Sequence, residues 1–172
     1  ERKVEKIETI LICFGGSDLG NLTKKVLEIV LPFDEIKRII IITGMNYNYC
    51  DSLDGYIQNN SRISHYHDID EIQMLTLLQK TDLAIVPAST IMLEALSAKS
   101  IVVAGYYADN QKKACHAAVE KELVFGIDDF VHFNEDVFKK VLDKVKQKIK
   151  NNSMVYANYN TSKLKAIFKS LK

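Results

Sequence analysis

Hydrophobic residues in this chain fall into short unbroken runs, and between the runs they recur at helical spacing. Thr9-Ile10-Leu11-Ile12-Cys13-Phe14 ends at Gly15-Gly16, as expected for a strand buried on both faces. A helix follows: Asn21 or Thr23 caps it, Val26, Leu27, Val30 and Leu31 form its apolar face, and Pro32 closes it. Arg38-Ile39-Ile40-Ile41-Ile42-Thr43, rich in β-branched residues and stopped by Gly44, predicts a second strand, central in its sheet. Residues 49–59 predict a weaker helix, Asn60-Ser61 a turn, and Ile63 to Tyr66 a short third strand.

Asp68 or Asp70 caps the next helix, which runs to Thr81 with Ile72, Leu75, Leu78 and Gln79 on its inward face. Leu83 to Pro87 is the fourth strand, and Ala88-Ser89-Thr90 leads directly into a helix over 91–98. Ile101 to Gly105 is the fifth strand. Asp109 or Asn110 then opens a helix over 111–121, and Leu123-Val124-Phe125 is a further short apolar run. The tail predicts a helix capped by Asn134 from Glu135 to about Asn151, and a last helix from Thr161 to Leu171. Strands and helices alternating in this way specify an α/β fold, a Rossmann-like doubly wound parallel sheet covered on both faces. Ligands of such sheets sit at the carboxyl ends of the strands.

Composition narrows the class. The 172 residues fit one domain, and 47% hydrophobic with 26% charged residues is ordinary for a globular protein. A formal charge of +1 gives no nucleic-acid footprint, and no run is long and apolar enough to span a membrane. The three cysteines, Cys13, Cys50 and Cys115, are scattered and in no CxxC spacing, which points to reduced thiols and a cytoplasmic setting. A start at Glu1 in a charged stretch, with neither Met nor a signal peptide, suggests a piece of a longer protein.

Three junctions carry candidate chemistry. Gly15-Gly16-Ser17-Asp18 lies between the first strand and its helix, where backbone amides and a helix start meet an anion, or where the glycines merely turn the chain. The loop has neither the GxGxxG spacing of a dinucleotide site nor the Gly-Lys-Ser/Thr ending of a P-loop, so NAD and ATP are not the expected ligands. Ser89, Thr90 and Ile91 open a helix with donors suited to a diphosphate, and Glu94, a turn further on, reaches a pair of vicinal hydroxyls such as a ribose presents. The plainer alternative makes Ser89 an N-cap and Glu94 a solvated charge. At Tyr106-Tyr107-Ala108-Asp109-Asn110-Gln111 the amides of Asn110 and Gln111 suit sugar hydroxyls and N-acetyl groups, while Asp109 or Asn110 also serves as a cap.

Taken in order, Cys13-Phe14-Gly15-Gly16-Ser17-Asp18 with Asn21-Leu22-Thr23, Thr81 to Ile85, Ser89 to Leu96 and Ala108 to Gln111 resemble the C-terminal domain of the UDP-sugar hydrolase of pseudaminic acid biosynthesis. That enzyme is similar to family 28 glycosyltransferases such as the peptidoglycan GlcNAc transferase, which have a GT-B fold of two Rossmann-like domains. The resemblance runs from Ile7 to Gln111, more loosely to Phe125. It implies a single C-terminal GT-B half-domain over the whole chain, with UDP or a UDP-sugar and an N-terminal GT-B domain as partners and no cofactor. By similarity Gly15, Gly16, Ser17, Ser89, Thr90 and Ile91 face the diphosphate, Glu94 the ribose, and Asn110 and Gln111 the sugar. The uracil lies against backbone near Tyr66, His67, Asp68 and Met45.

The resemblance also implies a missing half. The hydrolase's water-activating histidine belongs to a Gly-rich loop of the N-terminal domain, and none of the four histidines here occupies that motif, so no catalytic residue is expected in this chain. His65 and His67 share a strand face at i, i+2, but no neighbouring cluster in sequence offers further ligands, so no metal is expected. His116 is expected to pack within its helix and His132 to lie in an exposed loop. Residues 139–150 alternate lysines with Val141, Leu142, Val145 and Ile149, a solvated face over a packed one or, as the lesser alternative, a membrane-surface helix. Three functions remain open: a UDP-sugar hydrolase, a UDP-sugar-dependent transferase, and a nucleotide-binding module without catalysis.

Overall fold

The computed structural model describes residues 2–151. Its strands are β1 (Thr9–Cys13), β2 (Arg38–Thr43), β3 (Ile63–His67), β4 (Leu83–Pro87), β5 (Ile101–Tyr106) and β6 (Phe125–Asp129). The helices between and after them are α1 (Leu22–Val30), α2 (Asp51–Asn59), α3 (Glu71–Gln79), α4 (Thr90–Ser97), α5 (Asp109–Glu120) and α6 (Glu135–Lys150). All strand pairs are parallel, in the order β3-β2-β1-β4-β5-β6. This is the Rossmann order, whose switch point lies between β1 and β4. β2 is interior but next to the edge strand β3; the centre belongs to β1 and β4.

Alternation along the strands divides the core into two layers. Ile10, Ile12, Ile39 and Ile41 face a layer closed by α1, α2 and α6, while Leu11, Ile40 and Ile42 face one closed by α3, α4 and α5. α6 buries Phe138, Val141, Leu142 and Val145, with Ile149 partly buried against them, so its apolar stripe is packed on the sheet and the membrane-surface alternative falls. Asn134 caps it as expected, accepting from the Val137 amide at 3.0 Å. No helix among the described residues is long and apolar enough to cross a membrane.

Several local expectations change. Asp70, not Asp68, caps α3, in a capping box with Gln73. The inward face of α3 is Met74, Leu77 and Leu78; Ile72 and Leu75 are exposed, at 78% and 47%, and Gln79 is exposed as well. Burial therefore follows residues 74, 77 and 78 and leaves the stripe through 72, 75 and 79 in water. The run at Leu123-Val124-Phe125 leads into the sixth strand, whose register with β5 shifts near its end. The predicted final helix, 161–171, lies outside the described residues.

Candidate functional site

Two strand-to-helix corners meet at the switch point. Gly15 turns the chain after β1 with φ +82°, a conformation that favours glycine. Gly16 follows without a positive φ, and a Cβ built on it meets nothing in the chain within 4 Å. Packing inside the molecule thus gives no reason for glycine at position 16. The corner is fastened by Asp18, which the sequence reading did not single out. Its buried carboxylate accepts from the amides of Leu22 and Thr23, each at 2.8 Å, at the start of α1. Asn21 stands at the N-cap position with φ +49° and makes no side-chain cap bond, so Asp18 performs the capping that was expected of Asn21 or Thr23. Burial raises the Asp18 carboxyl above its ordinary value, opposed by its hydrogen bonds to Thr23 and Leu22.

The corner after β4 is open in a different way. Ser89 stands at the N-cap position of α4, yet its side chain makes no cap bond. Ser89 thus occupies the N-cap position, as its plainer reading has it, without capping through its side chain, and the first-turn amides of Thr90 and Ile91 have no intrahelical acceptor. Thr90 is exposed and Ile91 buried. Glu94, one turn along, stands open to solvent beside Thr90; loss of water around it and then the charge of Glu71 hold its carboxyl above the ordinary value.

These corners share one cleft of about 380 Å³. Gly15, Gly16, Ser89, Thr90, Ile91 and Glu94 all line it, and Thr43, Gly44 and Asp68 form the wall on the β2–β3 side. Gly44 is there for a packing reason, because its Cβ would collide with Gly16 backbone. Cys13 also borders the cleft, and burial pushes its thiol up to about 11, so it is a neutral wall. A second hollow of about 550 Å³ between α3 and α4 shares Ile69, Met74, Thr90 and Glu94 with the first. The two form one groove past Glu94.

Other predicted residues lie apart from this lining. Ser17, Tyr66, His67 and Met45 are not among the residues lining the cleft, although Asp68 is; Met45 is 71% exposed. Asn110 and Gln111 begin α5, whose N-cap is Ala108 without a side-chain bond, so neither Asp109 nor Asn110 caps it. Asp109 instead pairs with Lys112 at 2.8 Å, and the Gln111 side chain accepts from the Tyr107 amide at 3.1 Å. That bond spends one Gln111 acceptor on the backbone. Asn110 is exposed beside it.

The histidines also need revision. His65 and His67 face one way, as their spacing predicts, and the fold adds the third group that sequence proximity did not supply: Cys50, at the start of α2, joins them within 4.8 Å. His116 is exposed, with its ring 6.0 Å edge-on from Tyr106, and His132 is exposed as expected.

No protein-family model matches the chain. An uncharacterized protein of Methanocaldococcus jannaschii is 36% identical over 114 residues, a match covering 64% of this chain and 23% of that protein. Among solved structures, a protein assigned as a UDP-N-acetylglucosamine 2-epimerase from Listeria monocytogenes superposes with a TM-score of 0.54 at 15% identity, covering 86% of this chain and 38% of that one. An O-GlcNAc transferase from Thermobaculum terrenum gives a TM-score of 0.49 at 16% identity, covering 99% and 37%. The chain thus spans about a quarter of the curated relative and less than two-fifths of either structure. What it shares with the first of these structures is the fold, a Rossmann-like parallel sheet of the kind that forms one half of a GT-B protein.

Proposed function

We propose that this chain is the nucleotide-sugar-binding half of a two-domain GT-B enzyme and that it holds the UDP portion of a UDP-sugar. The observation that carries the reading is the shared cleft at the switch point. A glycine corner open on its outer side, the uncapped start of α4 and a carboxylate one turn further converge there. The amides of Gly16, Thr90 and Ile91 suit two adjoining phosphoryl groups, since each N–H donates and the dipole of α4 points its positive end at them. Glu94 accepts from the ribose hydroxyls. The base lies along the Tyr66-His67-Asp68 and Met45 backbone, and Asn110 and Gln111 reach the sugar from α5.

The chemistry follows from the half that this chain supplies. Breaking the anomeric C–O bond sends an electron pair and negative charge onto the departing diphosphate, and fixed amides stabilise that charge as it develops. Activation of a water, or of a sugar acceptor, falls to the partner domain. The reaction we favour is hydrolysis releasing UDP and a deoxy diacetamido sugar of the pseudaminic acid type, which rests on the resemblance at Gly15-Gly16-Ser17, Ser89 to Glu94 and Asn110-Gln111. The similarity of fold to a protein assigned as a UDP-N-acetylglucosamine 2-epimerase agrees with a nucleotide-sugar ligand. Calorimetric titration with UDP, CMP and ADP tests the reading: UDP binds with measurable heat and more tightly than the other two. Equal affinity for all three, or none for any, refutes it.

A further inference from the structure

We propose that Cys50, His65 and His67 form a binding site for one borderline-soft divalent transition cation, of which Zn²⁺ is the representative, at the carboxyl end of β3. The proposal is independent of the nucleotide reading. It rests on three ligand types that such cations prefer, thiolate sulfur and two imidazole nitrogens, brought within 4.8 Å of one another by two separate elements. Cys50 Sγ lies 4.0 Å from His67 Nδ1. His65 Nε2 and His67 Nδ1 both point at the Thr43 hydroxyl, at 2.8 and 3.0 Å.

The fold imposes this convergence. In β3 the two-residue period sets His65 and His67 on one face, and the parallel register places Thr43 of β2 opposite His67. Cys50 stands at the N-cap position of α2, which brings its sulfur to the carboxyl end of β3. A tetrahedral ion with bonds of about 2.3 Å to sulfur and about 2.1 Å to nitrogen needs its ligands about 3.5 Å apart. Side-chain rotation at the exposed His67 and the half-buried Cys50 closes the remaining gap.

Proton accounting is simple. The Thr43 hydroxyl has one hydrogen, so of the two ring nitrogens facing it one accepts and the other donates its N–H. On metal binding the donating ring moves its proton to its other nitrogen, and the Cys50 thiol releases its proton to solvent. The remaining coordination position falls to water or to the Thr43 hydroxyl. Among the described residues the other cysteines, Cys13 and Cys115, are buried, and the other histidines, His116 and His132, lie on α5 and beyond β6. Because Thr43 and Asp68 line the cleft and Asp68 follows His67 directly, the ion would pin the cleft's outer wall.

Anaerobic titration of the reduced, chelator-stripped chain with Co²⁺ tests the site. Expected is one ion per chain, a thiolate-to-cobalt charge-transfer band, tetrahedral ligand-field intensity, and bleaching of both by one equivalent of Zn²⁺. Cys50→Ser abolishes the charge-transfer band, and Cys50→Ser or His67→Ala weakens Zn²⁺ about tenfold or more, whereas His116→Ala leaves both unchanged. His67 is exposed, so His67→Ala reports on the site even where a change at the less exposed His65 disturbs folding. Absence of the band, a different stoichiometry, or Zn²⁺ affinity indifferent to both Cys50→Ser and His67→Ala overturns the proposal.

Discussion

A Cβ placed on Gly44 would lie 2.5 Å from the Cα of Gly16, so the corner after β2 and the corner after β1 touch backbone to backbone. The contact is reinforced by the Asn46 amide, which donates to the Gly16 carbonyl at 3.0 Å. Gly16 is thereby pressed toward the cleft while its own outer side stays open.

The two glycines therefore respond differently to substitution. Gly44→Ala must move the Gly16 backbone and costs about 1–3 kcal/mol of stability, as overpacking does. Gly16→Ala leaves stability within about 0.5 kcal/mol, as expected for a site with no internal clash, but places a methyl where a phosphate would approach and weakens UDP. Urea denaturation of both variants, with calorimetry on the second, checks the contrast.

Asp18 holds the glycine corner to α1. Asp18→Ala removes the acceptor of two amides and costs about 2 kcal/mol, the range for hydrogen bonds to a charged group. Denaturant titration of Asp18→Ala against the wild type reads the loss.

Glu94 predicts a pH signature. Its folded-state carboxyl is raised by lost hydration and by Glu71, so it holds its proton more tightly folded than unfolded. Linkage then makes the wild type gain stability, relative to Glu94→Gln, as pH falls from neutral through the raised folded value, and the gain is complete below the unfolded carboxylate value. Thermal melts of the two proteins should lie apart at neutral pH, where the wild type carries the disfavoured charge, and converge as pH falls and both side chains become uncharged. A separation that grows as pH falls instead contradicts the sign.

Glu94 also separates ribose from phosphate. If its carboxylate holds the ribose, Glu94→Ala weakens UDP about tenfold or more, the cost of a charge-assisted bond, and leaves inorganic pyrophosphate little changed. Equal weakening of both ligands removes the ribose role. Competition calorimetry supplies the comparison.

Much of the fold is legible in the sequence because buried parallel strands are written as unbroken apolar runs. β2 and β4 have the predicted limits, Arg38–Thr43 and Leu83–Pro87, since β-branched runs between sharp stops leave no choice of boundary. β6 was hidden because Gly126, Asp128 and Asp129 break the apolar pattern and only Ile127 is buried. Ile72 and Leu75 misled the reading of α3, because periodicity selects a stripe and only packing decides which stripe faces inward. Caps were the least legible part. Asp18, three residues before Asn21, reaches the start of α1 through a left-handed turn, and Cys50 meets His65 and His67 only because the loop leaving the carboxyl end of β2 starts α2 beside the end where the parallel strand β3 also finishes.

The central claim is that the glycine corner and the start of α4 hold a diphosphate together, and amide chemical-shift mapping tests it most directly. The chain offers another hollow of about 500 Å³ at the opposite end of the sheet, where Lys6, Lys37, Lys146 and Lys150 stand among Glu5, Glu8 and Glu35. With UDP, the amides of Gly15, Gly16, Thr90 and Ile91 should shift together and saturate at one concentration, while those around Lys37 and Lys146 stay still. Shifts confined to the lysine hollow, or Gly16 and Thr90 responding with different affinities, would contradict the claim.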